Sequence, residues 1–253
     1  AAWNLIIDKA APSSALVPIG SSQMSTAFQI YWTGSDNLSG IAYYELQYSL
    51  NGGAWQNYAQ IGGENTSWWV VTSPGNLYAF RIHAIDFAGN SEEYPTSAET
   101  STTIPEGSTL CANPDVYDQG TYDNTAATAT MVGINGAPQV HNFCNPLESD
   151  FLYDEDWLAF SAQAGVTYFV EATALAPQSA VMLTLVGADR TSLIAEAGPD
   201  GFGGRSLLRW TSDRDGMVYI RMQHLDGRVI GSLVSYQVQV RAGYATYLPI
   251  LNK

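Results

Sequence analysis

The sequence predicts an all-β protein made of two β-sandwiches in tandem. Apolar residues recur with a period of two and almost never with the 3.6-residue period of a helix. Clusters of Gly, Asn, Asp and Pro separate these runs at short intervals. A polar stretch rich in Ser, Thr, Pro and Glu then interrupts the pattern before a second set of alternating runs begins, as a linker does. The 253 residues suffice for two cores. With 46% hydrophobic and 12% aromatic residues, a disordered chain is excluded.

In chain order, residues 1–9 form a strand-like apolar extension in which Trp3, Leu5 and Ile7 alternate. Residues 10–104 form the first sandwich. Phe28 to Trp32 alternates there, as do Tyr44, Leu46 and Tyr48, then Tyr78, Phe80, Ile82 and Ala84, each run able to face a core on one side and solvent on the other. Turns are expected at Gly34 to Asn37, Asn51 to Gly53, Gly62-Gly63, Pro74 to Asn76 and Ala88 to Asn90. Residues 105–114 are the linker. Residues 115–242 form a second sandwich of about eight strands, with candidates at 139–143, 157–161, 166–173, 181–186, 206–211, 217–223 and 235–241. Residues 243–253 are an apolar tail. The two apolar ends could complete a sheet in their own chain or add a strand to a neighbour's edge.

Composition limits the partners. Acids outnumber bases 24 to 10, giving a formal charge of −14, and the lysines are Lys9 and Lys253. Phosphate-backbone binding needs clustered Lys and Arg, so nucleic acid is not expected as a partner. No run approaches eighteen apolar residues, so no membrane-spanning helix is expected. Charged residues are only 13% against a usual ~25%. The opening Ala1-Ala2-Trp3 matches a mature product after signal-peptide cleavage, as it would a trimmed fragment. Cys111 and Cys144 read as one disulfide in an oxidising compartment, the alternative being two buried thiols. Together these features point to a secreted or cell-surface protein.

Two blocks resemble known families. Tyr44-Glu45-Leu46-Gln47-Tyr48-Ser49, followed by Trp55 and by Tyr78-Ala79-Phe80-Arg81-Ile82-His83-Ala84-Ile85-Asp86-Phe87-Ala88-Gly89-Asn90, resembles the fibronectin type III-like modules of secreted bacterial proteins. The resemblance implies an immunoglobulin-like sandwich in which Tyr78 is the tyrosine corner. The stretch from Asp115-Val116-Tyr117-Asp118 through Asp123-Asn124-Thr125, Asp154-Glu155-Asp156-Trp157-Leu158-Ala159-Phe160 and Gly216-Met217-Val218-Tyr219-Ile220-Arg221-Met222 is similar to bacterial pre-peptidase C-terminal (PPC) domains. That similarity implies a jelly-roll sandwich and a non-catalytic appendage, some relatives of which hold calcium. Asp118-Gln119 stands where Glu-Pro is common in that family.

Independently of any family, fifteen Asp and Glu residues lie between Arg81 and Arg190 with no Lys or Arg among them. Eight fall between residues 115 and 156: Asp115, Asp118, Asp123, Glu148, Asp150, Asp154, Glu155 and Asp156. Oxygen donors in such excess suit Ca²⁺, with Asp118, Asp123, Asp154 and Asp156 as side-chain ligands; the alternative is a solvated acidic face. No nucleophile elbow, zinc-protease helix, phosphate loop or dinucleotide fingerprint is present, and no catalytic residue is expected. His83, His141 and His224 lie in or beside strands and are expected to be structural. Trp68 and Trp69 are adjacent in a strand, so at most one enters the core. The outer one, with Tyr43, Tyr31 and Tyr58, would offer a binding or interface surface. The function expected is non-catalytic: an extracellular structural or adhesive protein, a self-assembling surface or filament subunit linked through its terminal strands and sheet edges, with itself or other extracellular proteins or polysaccharides as partners. The alternative is a binding appendage of a larger secreted hydrolase.

Overall fold

A computed structural model describes residues 7–119, 122–145, 147 and 151–243. Trp3, Leu5, Glu148, Asp150 and all but the first residue of the 243–253 tail therefore lie outside the described residues. The chain is all-β and divides into two compact units, Ala1–Glu106 and Gly107–Lys253.

The first unit contains β1 (Ser13–Leu16), β2 (Ala27–Ser35), β3 (Ile41–Leu50), β4 (Gln56–Gly62), β5 (Ser67–Val71), β6 (Asn76–Asp86) and β7 (Thr100–Ile104). They form a three-stranded sheet, β1-β2-β5, and a four-stranded sheet, β4-β3-β6-β7. Period-two alternation sends Phe28, Ile30 and Trp32 of β2 inward against Tyr44 and Leu46 of β3 and Phe80 and Ile82 of β6, all buried. Rings meet edge-on across the two sheets, Phe28 with Phe80 at 6.1 Å and Trp32 with Tyr44 at 5.5 Å. Tyr78 is the anticipated corner: its buried hydroxyl accepts the Ser73 N–H at 2.9 Å. Tyr78→Phe keeps the ring and leaves that donor without its acceptor, so urea denaturation is expected to show a loss of about 1 kcal/mol.

The second unit holds β8 (Thr130–Met131), β9 (Gln139–Asn142), β10 (Glu155–Ala162), β11 (Thr167–Ala174), β12 (Val181–Val186), β13 (Leu193–Ala197), β14 (Arg205–Thr211), β15 (Gly216–His224) and β16 (Ser235–Ala242). Its sheets run β13-β12-β15-β10-β8 and β14-β11-β16-β9. Phe160 of β10 packs on Tyr168 of β11 at 5.0 Å, joining the two sheets. The Tyr168 hydroxyl accepts the Gln163 N–H at 2.8 Å, a second anchor of the kind Tyr78 makes.

The structure departs from the sequence reading at its polar segments. Thr100, Thr102 and Ile104 of β7 alternate inward and complete a sheet, a strand that the apolar pattern does not single out. Within 105–114, the short helix α1 (Gly107–Leu110) and Cys111 belong to the second unit, with Leu110 and Cys111 buried. Threonine carries too little hydrophobic contrast for its burial to register as a pattern. Cys111 and Cys144 are bridged, their Cα atoms 5.4 Å apart.

Candidate metal centre

Five short segments of the second unit converge at one place. Asp115 caps a single 3-10 turn, Val116–Asp118, its Oδ1 accepting the Tyr117 N–H at 2.8 Å. Its Oδ2 accepts the Asn142 N–H at 2.8 Å, fastening this turn to β9. Asp154 and Asp156 bracket the start of β10; Asp154 Oδ2 accepts the Cys144 N–H at 2.7 Å, so the disulfide sits directly beside the carboxylates. Asp156 points inward by the alternation of β10, and the Tyr236 hydroxyl of β16 donates to its Oδ2. His141 of β9 lies opposite Tyr236 in the strand register, with rings 5.6 Å apart, while Tyr117 stacks on the imidazole at 4.5 Å.

Asp118, Asp123, Asp154 and Asp156 are 2%, 0%, 4% and 0% exposed, so the alternative of a solvated acidic face does not describe them. One oxygen from each of Asp118, Asp154 and Asp156 lies within 4.8 Å of the others, and one ligand atom from each of Asp115, His141 and Asp156 does likewise. Both carboxylate oxygens of Asp118 and of Asp123, together with Asp156 Oδ1, have no hydrogen-bond partner. Asn124, which donates to Asp154 at 3.4 Å, leaves its own carbonyl oxygen unpaired. Among the described residues no Lys or Arg forms an ion pair with this group. Buried ionised carboxylates without a counter-charge cost several kcal/mol each. Burial first, and then the neighbouring carboxylates, push Asp118 and Asp123 up to about 8 and Asp154 and Asp156 well above the ordinary range. Burial lowers the His141 imidazole, against the opposing pull of Asp115, Asp123 and Asp118. Oxygens at these spacings fit around one ion that takes ligands at about 2.3–2.6 Å, so the donor set suits a hard dication.

The sequence reading placed all three histidines in or beside strands as structural residues, and the structure sets His141 apart from the other two. His83 is engaged by the Glu92 carbonyl at 2.8 Å and Glu45 at 3.0 Å, and His224 by the Asp226 and Gln178 carbonyls, both at 2.9 Å. His141 is fully buried and neither ring nitrogen has a partner. Asp115 and Asn124 also join the group without having been singled out as ligands. Their signal was adjacency to Asp118 and Asp123 in sequence.

In the first unit, Asp8, Asp36 and Asp86 also bring oxygens within 4.8 Å of one another. These carboxylates are largely occupied by loop backbone: Asp36 accepts the Leu38 and Gly40 N–H groups, Asp8 those of Ala10 and Ser39, and Asp86 that of Asn90. The candidate surface aromatics differ in exposure. Trp68 is 40% exposed and lies opposite Ile30, while Trp69, opposite Gln29, is half-buried. Tyr43 is half-buried at the β3–β4 pairing, and Tyr58 accepts the Val71 N–H at 2.7 Å and so serves the sheet. Tyr31 and Ile7 are exposed. A groove of about 430 Å³ lies elsewhere in the second unit, lined by Trp210, Asp189, Ser192, Asp213 and Arg214 among others. Among the described residues its lining contains no histidine, lysine or cysteine.

No family model matches the chain, and no curated protein matches it. Solved structures to which it is similar include the pre-peptidase C-terminal domain of a Bacillus anthracis collagenase, 12% identical over 44% of this chain and 93% of that one, with a TM-score of 0.34. PliG, a periplasmic inhibitor of g-type lysozyme from Aeromonas hydrophila, is 16% identical over 46% and 97%, with a TM-score of 0.32. The twitchin kinase region of C. elegans, which includes a fibronectin domain, is 15% identical over 58% and 32%, with a TM-score of 0.27. Likeness this slight carries no functional weight, which falls on the carboxylate cluster instead.

Proposed function

We propose that the chain is a non-catalytic extracellular structural or adhesive protein whose second sandwich is held together by Ca²⁺ on Asp118, Asp123, Asp154 and Asp156. The supporting observation is the buried carboxylate group beside the Cys111–Cys144 bridge, which among the described residues forms no ion pair with Lys or Arg. A cation enclosed in a sandwich interior joins segments that would otherwise repel, which is a structural service rather than a catalytic one. Extracellular modules tolerate weak calcium sites, with Kd of about 10⁻⁴–10⁻³ M, because the ion is abundant there. Contact with copies of itself, or with other extracellular proteins or polysaccharides, would then fall to the outer surfaces, where Trp68 and Tyr31 are exposed. The exposure of Trp68 equally supports the second reading, a binding appendage of a larger secreted hydrolase.

Calorimetry tests the calcium part: an ion bound only by the native state raises the unfolding temperature when added to chelator-treated protein. Unchanged melting between excess chelator and millimolar Ca²⁺ would remove it. Electron microscopy at high protein concentration, with and without Ca²⁺, tests self-association, and strictly monomeric particles in both would count against it. Pull-down on collagen and insoluble glycans, lost in Trp68→Ala, would favour the appendage.

A further inference from the structure

We infer that the second unit carries a second divalent-metal position of mixed nitrogen and oxygen ligands, formed by His141 and Asp115 with Asp123 and Asp156 shared, and suited to a borderline ion such as Zn²⁺. This rests on the carboxylate cluster being a metal centre at all. Three features carry it beyond a single calcium ion.

The first is the histidine. A buried imidazole normally engages both nitrogens, as His83 and His224 do here. His141 engages neither, although it is fully buried. Its Nδ1 instead faces Asp156 Oδ1 at 3.5 Å, Asp115 Oδ2 at 3.9 Å and Asp123 Oδ2 at 3.9 Å. These separations are too long for good hydrogen bonds. They fit ligands arranged around one ion, because donors about 2.1 Å from a tetrahedral centre lie about 3.4 Å from each other. Tyr117 and Tyr236 stack against the ring, both at 19° between planes, and fix the direction in which its nitrogens point.

The second feature is charge. Asp115, Asp118, Asp123, Asp154 and Asp156 carry minus five when all are ionised; one dication leaves minus three buried, and a second leaves minus one. The third is connectivity. Asp156 belongs to both groups of converging ligand atoms, and Asp123 has two unpaired oxygens, so each can serve two neighbouring ions. The two positions differ in chemistry. The Asp118–Asp154 side offers only oxygen and suits Ca²⁺. The His141 side adds an imidazole, which suits Zn²⁺.

The test is isothermal titration of the full chain, stripped with chelator and then saturated with Ca²⁺, using ZnCl₂ as the probe. One equivalent of Zn²⁺ is expected to bind without displacing Ca²⁺. His141→Gln should weaken Zn²⁺ by about tenfold or more and leave Ca²⁺ affinity within about twofold. In wild type, added Zn²⁺ should shift the His141 ring ¹⁵N resonance, which keeps the test usable if the variant does not fold. Zn²⁺ that binds only by displacing Ca²⁺, an affinity indifferent to His141→Gln, or an unmoved ring resonance would overturn the second position while leaving the calcium reading intact. Binding of neither ion would overturn both.

Discussion

In excess chelator, the second unit is expected to unfold more readily at pH 8 than at pH 5, the reverse of ordinary acid denaturation. Asp118 and Asp123 are pushed up to about 8 in the folded chain, first by burial and then by neighbouring carboxylates, and Asp154 and Asp156 well above the usual range. In the unfolded chain all four return to about 3.9. Between those values the folded state holds protons that the unfolded state has released, so stability falls as pH rises. The slope is about 1.4 kcal/mol per pH unit for each extra proton retained. Below about pH 4 both states are protonated, the cluster's contribution levels off, and carboxylates with lowered values, such as Asp226 beside Arg228, restore the ordinary acid loss. Calcium should flatten the slope, because the cation stabilises the ionised carboxylates in place of protons. Urea midpoints at pH 5, 6, 7 and 8, with chelator and with Ca²⁺, measure this. A chelated protein as stable at pH 8 as at pH 5 would mean that these carboxylates are not buried as described.

The second large effect is expected from Cys111→Ser combined with Cys144→Ser. The bridge spans 33 positions, and loop closure of that length constrains the unfolded chain by about 3–4 kcal/mol. That is a large share of a typical domain stability of 5–15 kcal/mol. The closed loop also contains Asp115, Asp118 and Asp123, and Cys144 itself donates to Asp154. The double variant should therefore lose calcium affinity as well as urea resistance, and the affinity loss should persist at low temperature where the fold survives. A loss under about 1 kcal/mol with calcium affinity unchanged would show that neither the bridge nor its neighbouring backbone organises the cluster.

Much of the scaffold was legible residue by residue. The alternation from Phe28 to Trp32 and from Tyr78 to Ala84 maps onto β2 and β6 with the expected faces inward, and Tyr78 anchors its turn as its motif implied. The short edge strands β8 and β13 were not legible, because two to five residues at a sheet edge offer no clear alternation. Nor was β7, whose buried face is mostly threonine. Of the candidate contact residues, Tyr58 turned out to serve the sheet, since outward alternation does not reveal whether a neighbouring backbone will claim a hydroxyl.

The candidate metal centre divides along the same line. That fifteen acids and no Lys or Arg lie between Arg81 and Arg190, and that two cysteines bracket part of that stretch, are properties of the sequence alone, and they mean that any Lys or Arg partner for an inward-turned acid must come from outside it. Which acids turn inward is a property of the packed sandwich. Period-two alternation states which face of a strand a residue occupies but not what lies across the interior from it. His141 meets Tyr236 across the β9–β16 pairing, but it meets Asp156 only because β10, in the other sheet, brings that carboxylate across the interior. Burial, which decides whether an aspartate is a solvated charge or an ion's ligand, exists only once that layer has closed.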